Sequence, residues 1–285
     1  MTDIYNSEEF ATLIELAYRE DAPTGDLSTR YILSESDRAI ATLIAKDDGI
    51  VSGLEVAYMV LNWCTPEEEI TFSPQYEDGD EVRKGDILAT IEAPYADLLR
   101  AERIMLNFMQ RMSGIATYTH QCVQCVAGTK TQILDTRKTA PGHRLTDKMA
   151  VRDGGGTNHR ASLSDMVMLK DNHIAMAGGI LPAVEEVRPH LPISIQIEVE
   201  TTTLEEVQEA IDAGADIIML DNMDIETMRR AVELIDGQAK VEASGNMTAE
   251  RLAAVAAVGV DYISIGALTH SVRAFDISMK IKPIQ

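Results

Sequence analysis

Between Ile133 and His173 the chain reads ILDTRKTAPGHRLTDKMAVRDGGGTNHRASLSDMVMLKDNH, a stretch rich in side chains that hold anions. Arg137, Lys138, Arg144, Lys148, Arg152, Arg160 and Lys170 set seven cations against the five aspartates Asp135, Asp147, Asp153, Asp165 and Asp171, in a protein of formal net charge -21. Half of the six histidines, His143, His159 and His173, fall there as well. Short apolar segments around Ile133-Leu134 and Met166–Leu169 run straight into these charges, as a strand does where its carboxyl end opens into an active site. The stretch therefore predicts a cationic pocket for a small polyanion.

Three acidic positions come later, Glu198, Glu200 and Asp221. Side chains alternate along a strand, so Glu198 and Glu200 point to one side. Carboxylates at strand ends can hold Mg2+ or ribose hydroxyls, or form salt bridges inside a barrel. No His/Cys cluster accompanies them, which favours a magnesium-phosphate site over structural zinc. Ser244-Gly245-Asn246 and Gly266-Ala267 supply small side chains where backbone amides could approach a phosphate. Gly154-Gly155-Gly156-Thr157 is accommodating too, but no Gly-Lys-Ser/Thr follows and no dinucleotide fingerprint is present. Cys122 and Cys125 have CxxC spacing inside a helical run with Cys64 as the only other thiol, so they read as structural.

These residues are presented by a repeating unit. QILD, MVMLK, ISIQIEVE, DIIMLD, AKVEASG and DYISIG are six strand-like runs, with helices predicted to begin near Thr203, Asp224 and Thr248. Thr203 and Glu206 have capping-box spacing. Strands joined by crossover helices imply a parallel sheet, either a closed or nearly closed α/β barrel or a doubly wound open sheet. Polar residues after nearly every strand favour the barrel, with six or seven strands. Before it, apolar spacing predicts a helix over residues 7–19 capped by Ser7, strands over 39–45, 69–73 and 87–91, and a helix over 54–62. From Tyr95 to Val126 the pattern is helical, with Gly114 expected to weaken or divide the run. The tail from Phe275 to Ile281 alternates as a strand that would return to the first domain.

Forty-six acidic against 25 basic residues describe an anionic surface that repels nucleic acid. The start MTDIYNSEEF has no leader pattern and no apolar run reaches membrane-spanning length, so a cytoplasmic location is expected.

Taken together, Glu102-Arg103 with Leu106-Asn107, Ser113 to Ala116, Asp135 to Thr139, Gly154 to Gly156 with Asn158-His159-Arg160, Leu169 to His173, Glu198-Val199-Glu200, Leu220-Asp221-Asn222 and Gly266 to Ser271 resemble the quinolinate phosphoribosyltransferase family. The resemblance covers nearly the whole chain. It implies an α/β protein: a small N-terminal α/β sandwich over 1–103, an open α/β barrel over 104–267, and a segment 268–285 returning to the first domain. It also implies a homodimer, or a higher oligomer, in which Arg103 acts in the partner's site. By the same resemblance, Arg137, His159, Arg160 and Lys170 line a quinolinate pocket with that Arg103, while Lys138, Glu200 and Asp221 serve phosphoribosyl pyrophosphate and Mg2+. Ser244, Gly245, Asn246, Gly266 and Ala267, together with Lys138, are expected around phosphate, and Lys138, Lys170, Glu200 and Asp221 form the expected catalytic group. Asn246 stands where the family commonly has a second glycine. The implied reaction is phosphoribosyl transfer to quinolinate with loss of CO2. Nicotinate phosphoribosyltransferase, a molybdenum-associated homologue and a non-catalytic nucleotide sensor are the alternatives; the intact Leu-Lys-Asp-Asn-His run favours the quinolinate enzyme over the molybdenum-associated homologue, and the abundance of cations favours it over the nicotinate enzyme.

Overall fold

The structure is a computed structural model that describes residues 7–34 and 36–284. The chain divides into two compact units, one of Met1–His120, Thr139–Gly155 and Thr269–Gln285, the other of Gln121–Lys138 and Gly156–Leu268.

In the first unit, Ser7 accepts a hydrogen bond from the Phe10 amide and starts the helix Glu8–Asp21, whose apolar face buries Phe10 and Ile14. Five strands follow: β1 (Arg38–Ala45), β2 (Gly49–Ile50), β3 (Thr71–Pro74), β4 (Glu81–Val82) and β5 (Ile87–Pro94). Along β1, Ala39, Ala41, Leu43 and Ala45 are buried at every second position, the signature of a sheet with one covered face. The helix Leu54–Cys64 lies where the apolar spacing placed one.

The helix Tyr95–Cys125 runs unbroken for 31 residues, so position 103 lies inside it and the expected division at Gly114 does not occur. A Cβ at Gly114 would collide with the Arg273 carbonyl. The glycine is there to admit another segment's backbone, and that close approach outweighs its helix-propensity cost of about 1 kcal/mol.

Arg111 joins the three chain segments of this unit. Its Nε and Nη2 donate to Asp147 at 2.8 and 2.7 Å, and Nη2 also donates to the Thr269 carbonyl at 3.0 Å. The helix Arg144–Asp153 thus belongs to the first unit. The seven cations of the 133–173 stretch consequently divide: Arg144, Lys148 and Arg152 fall in the first unit, and Arg137, Lys138, Arg160 and Lys170 in the second.

The second unit holds β6 (Gln132–Leu134), β7 (Val167–Leu169), β8 (Ile197–Thr201), β9 (Ile217–Asp221), β10 (Lys240–Ser244) and β11 (Tyr262–Ser264) in one sheet of order β6-β11-β10-β9-β8-β7. Every neighbouring pair is parallel. Ile217 to Leu220 are all buried, as expected for strands covered on both faces. Crossover helices Leu204–Asp212, Ile225–Ile235 and Ala249–Ala256 follow Thr203, Asp224 and Thr248, and Thr203 and Glu206 form the expected capping box.

In a closed barrel each strand pairs with its successor around the ring. Here every successive pair does so except β6 and β7, and β6 pairs instead with β11. This is an open barrel of six strands with its seam between the first and second. Thr157 occupies part of that seam, bridging in parallel to Leu134 and donating its amide to the Ile133 carbonyl at 2.8 Å. Finally β12 (Ile277–Pro283) pairs antiparallel with β1 in the first unit, giving a sheet of order β12-β1-β5-β3.

Candidate active site

All six parallel strands point their carboxyl ends the same way; five deliver polar side chains there, and β11 delivers a glycine. Asp135, Arg137 and Lys138 follow β6, Lys170 follows β7, Glu200 and Asp221 lie in the last turns of β8 and β9, Ser244 ends β10, and Gly266 follows β11. Nearly every sequence-predicted site residue is therefore brought to one end of one unit. Arg103 is the exception: it is exposed on the helix Tyr95–Cys125 of the other unit.

The segment after Thr157 turns inward. Asp135, fully buried, accepts from Asn158 Nδ2 at 2.6 Å and from the His159 amide at 2.9 Å. These bonds direct the His159 ring to the barrel interior, where Nε2 lies 3.0 Å from Glu198 Oε2 and 3.4 Å from Glu242 Oε2. Both glutamates are buried, and Glu198 Oε1 and both oxygens of Glu242 lack a hydrogen-bond partner by strict geometry.

Such a cluster shifts protons strongly. Burial alone would lower the imidazole pKa, but Glu198 and then Glu242 more than reverse it, carrying His159 up to about 9. Nδ1 faces the Arg160 amide at 2.8 Å, an arrangement that suits the neutral ring. The two glutamates favour the charged ring and that amide dipole opposes it. Burial likewise pushes Glu198 up to about 7, with Glu242 adding to the rise and His159 opposing it. His159, Glu198 and Glu242 also have the spacing of metal ligands, and the ammonium-like charge of His159 is the simpler compensation for the carboxylates.

Arg160 leans out of the same segment. It donates to the Met166 carbonyl at 3.0 Å and touches Met168 Sδ. Its pKa is lowered by burial and by the adjacent guanidinium of Arg137. Two guanidiniums held together in a partly buried site are arranged for a ligand with more than one negative charge. Lys170 Nζ makes a short contact with Glu200 Oε2, and the Lys170 amide donates to His173 Nδ1 at 3.1 Å, so His173 caps the helix Asp171–Ala177. The salt-bridge reading of Glu198 and Glu200 thus holds for both in this structure.

Asp221 and Ser244 are paired in register across β9 and β10. Beyond them Asn222, Gly245 and Asn246 all adopt positive φ, at 55°, 93° and 47°. Asn246 Nδ2 is turned to Asn222 Oδ1 at 3.2 Å. Glu200 and Asp221, at the ends of neighbouring strands and only part-exposed, offer hard carboxylate oxygens of the kind that bind Mg2+ together with ligand phosphates.

Sequence reasoning gave no role to Asp135, Asn158, Glu242, Asn222 or Arg251, although Asp135, Asn158 and Asn222 stand in the motifs that carry the family resemblance. Glu242 was findable: it stands two residues before Ser244 in an otherwise apolar run, the same parity as Glu198 before Glu200. Asn158 and Arg251 act through contacts distant in sequence and carry no local pattern.

Residues 26–113 match the family described as quinolinate phosphoribosyl transferase, N-terminal domain, and residues 115–280 match its C-terminal domain. The chain belongs to the quinolinate phosphoribosyltransferase family. A Bacillus subtilis relative named as a probable nicotinate-nucleotide pyrophosphorylase (carboxylating) is 43% identical over 276 residues, 97% of this chain and 94% of that protein. A chloroplastic relative of the same name from Arabidopsis thaliana is 44% identical over 292 residues, 96% of this chain and 83% of that one. The crystal structure of NadC from Streptococcus pyogenes superposes with a TM-score of 0.93 at 38% identity, covering 100% of this chain and 99% of that one. Quinolinate phosphoribosyltransferases thus share both the small N-terminal sheet and the open parallel barrel seen here.

Proposed function

We propose that this protein transfers the phosphoribosyl group of phosphoribosyl pyrophosphate to quinolinate and decarboxylates the product, forming nicotinate mononucleotide, pyrophosphate and CO2 for NAD biosynthesis. The observation that carries this reading is the cluster of Arg137, His159, Arg160 and Lys170 at the same strand ends as Glu200 and Asp221. Quinolinate bears two adjacent carboxylates, and charge-assisted hydrogen bonds from Arg137, Arg160 and Lys170 would fix its orientation, with His159, whose ring nitrogens are engaged by Glu198, Glu242 and the Arg160 amide, contributing charge rather than a direct hydrogen bond. Lys170 is held by Glu200 until a substrate carboxylate competes for it.

The chemistry needs no enzyme nucleophile. The quinolinate nitrogen attacks C1 of the ribose as the C1–O bond to pyrophosphate breaks, through a transition state of oxocarbenium character. Cations placed where charge develops on the leaving group stabilise it, and Lys138, exposed beside Arg137 on the loop after β6, is suited to that role. Mg2+ held by Glu200 and Asp221 would neutralise the diphosphate further. Substitution leaves a positively charged ring nitrogen, which stabilises the electron pair left on C2 as the C2–carboxylate bond breaks and CO2 departs; that C2 carbanion then takes a proton. Ser244, Gly245, Asn246, Gly266 and Ala267 would receive the 5'-phosphate.

The same reading makes the active unit a homodimer with Arg103 contributed by the partner subunit. Arg103 is exposed in its own chain, as a residue serving a partner must be. No helix among the described residues is long and apolar enough to cross a membrane, and a cytoplasmic location completes the proposal.

Product analysis tests it. Purified protein with phosphoribosyl pyrophosphate and Mg2+ is given quinolinate or nicotinate in parallel. Nicotinate mononucleotide with equimolar CO2 and pyrophosphate from quinolinate alone is expected. Product from nicotinate alone would reassign the substrate, and donor binding without turnover would favour a sensor.

A further inference from the structure

The turns that follow β9 and β10 are joined to each other before any ligand arrives. Parallel pairing of the two strands reaches Asp221 opposite Ser244 and continues one step further, the Asn222 amide donating to the Ser244 carbonyl at 3.0 Å. From that point both chains enter the left-handed region, at Asn222 on one side and at Gly245 and Asn246 on the other. Asparagine is one of the few side-chain-bearing residues that tolerate this conformation.

The Asn222 carboxamide uses both of its ends. Nδ2 donates to Asp221 Oδ2 at 2.8 Å, and Oδ1 accepts from Asn246 Nδ2 at 3.2 Å. The amide lies so close to Gly245 that a Cβ there would collide with Oδ1. Glycine is therefore needed at 245 for the room it leaves Asn222 as well as for its backbone angle. From the side of the following helix, Arg251 donates to the Met223 carbonyl at 2.6 Å and to the Gly245 carbonyl at 3.3 Å, tying the same two turns a second time.

We propose that Asn222 is a positioning residue, whose carboxamide couples the Asp221 carboxylate to the Gly245–Asn246 turn and sets the spacing between the two ends of the phosphoribosyl donor's site. The proposal rests on the function given above, because that donor carries a phosphate at C5 and a diphosphate at C1 of one ribose. A rigid ligand of that kind is bound best by loops whose separation is already correct, since order supplied beforehand is not lost on binding. Asn222 touches neither reacting atom in this reading. Its effect passes through Asp221 and Asn246.

The competing explanation is that Asn222 merely accommodates a tight turn. Asn222→Gly separates the two, because glycine keeps positive φ without strain and removes only the carboxamide. If the relay operates, Asn222→Gly raises the KM for phosphoribosyl pyrophosphate roughly tenfold, the loss expected when about one net hydrogen bond's worth of order is removed. The quinolinate dissociation constant stays within twofold of wild type. Asn246→Gly has a similar effect, and the double variant is no worse than the poorer single one, since both break the same connection.

A second readout does not involve turnover. Calorimetric binding of ribose 5-phosphate in EDTA, which offers the phosphate and ribose without diphosphate or metal and so reports the Gly245–Asn246 end alone, weakens in Asn222→Gly by a smaller factor than the donor KM rises. Unchanged donor KM and unchanged ribose 5-phosphate binding in Asn222→Gly would overturn the relay and leave the turn explanation. Additive losses in the double variant, or an equal loss of quinolinate affinity, would overturn it as well. Wild-type protein that binds ribose 5-phosphate but makes no nicotinate mononucleotide would overturn the proposed function while the binding comparison still decides the role of Asn222.

Discussion

Raising the pH from 6.5 to 8.5 should destabilise the barrel, and His159 sets the size of the effect. Its pKa is carried up to about 9, against an ordinary value of 6.5 when the chain is unfolded. A group whose folded pKa is raised holds its proton in the folded state after the unfolded state has released it. Its contribution is complete below 6.5 and is lost as pH rises through the folded value. Each pH unit inside that window costs about 1.4 kcal/mol, so two units cost up to about 3 kcal/mol, and about 2 once the opposing Arg160 amide is considered. The burial-driven rise of Glu198 has the same sign at lower pH, because a carboxyl that stays protonated in the fold is penalised as pH increases. His143, lowered by burial, acts in the opposite direction below 6.5 and does not touch the window. Urea unfolding at pH 6.5, 7.5 and 8.5, followed in parallel for wild type and the triple variant His159→Gln, Glu198→Gln, Glu242→Gln, which removes every ionisable side chain of the cluster, measures the slope. The wild type should lose about 2 kcal/mol across the range and the variant should be nearly flat. A wild-type profile that is flat or rises with pH would refute the assignment of an imidazolium between two carboxylates.

Lys170→Ala should lower kcat/KM for quinolinate by roughly 10- to 100-fold, the loss of one charge-assisted hydrogen bond to a carboxylate, with a smaller change in donor KM; steady-state kinetics with each substrate varied would show it. Arg103→Ala alone should be inactive, yet mixing it with Lys170→Ala under conditions of subunit exchange should restore part of the activity, because one of the two sites in a mixed dimer is intact; exchange without rescue would count against action in trans. Gly114→Ala should destabilise the first unit by about 1–3 kcal/mol through the clash with the Arg273 carbonyl, read as a drop in the urea midpoint with the slope unchanged.

Much of this arrangement was legible in the residues. The six strands announce themselves because nearly every apolar run ends in a polar residue, and Thr203, Asp224 and Thr248 mark the helices after three of them through cap chemistry that is local in sequence. Gly114 misled because helix propensity sees a missing side chain and cannot see the Arg273 backbone that fills its place. The charge-rich stretch from Asp135 to His173 looked like a single pocket, but the helix Arg144–Asp153 within it is assigned to the other unit by Arg111, a partner 36 residues away from Asp147. Glu242 could be marked by its parity with Ser244, but its partner could not, for a related reason. A carboxylate in an apolar strand is explained only by its neighbours across the sheet, and the histidine that compensates it arrives from a loop some eighty residues earlier. Asn222 and Arg251 likewise have meaning only once β9 and β10 lie side by side.

The pairing of β1 with β12 bears on how the protein is made. Strand β1 ends at Ala45, and its partner begins at Ile277. A ribosome adding about 5–20 residues per second needs roughly 10–50 s to cover that interval. Throughout it, one side of β1 has no strand beside it, and a row of unmet backbone donors and acceptors flanked by buried alanines and leucine is a template for pairing with another nascent chain. A strand made more than two hundred residues after β1 is therefore the one that closes its sheet. Slow synthesis, high local concentration of polysomes or loss of β12 should all raise the yield of aggregate before they alter the finished enzyme.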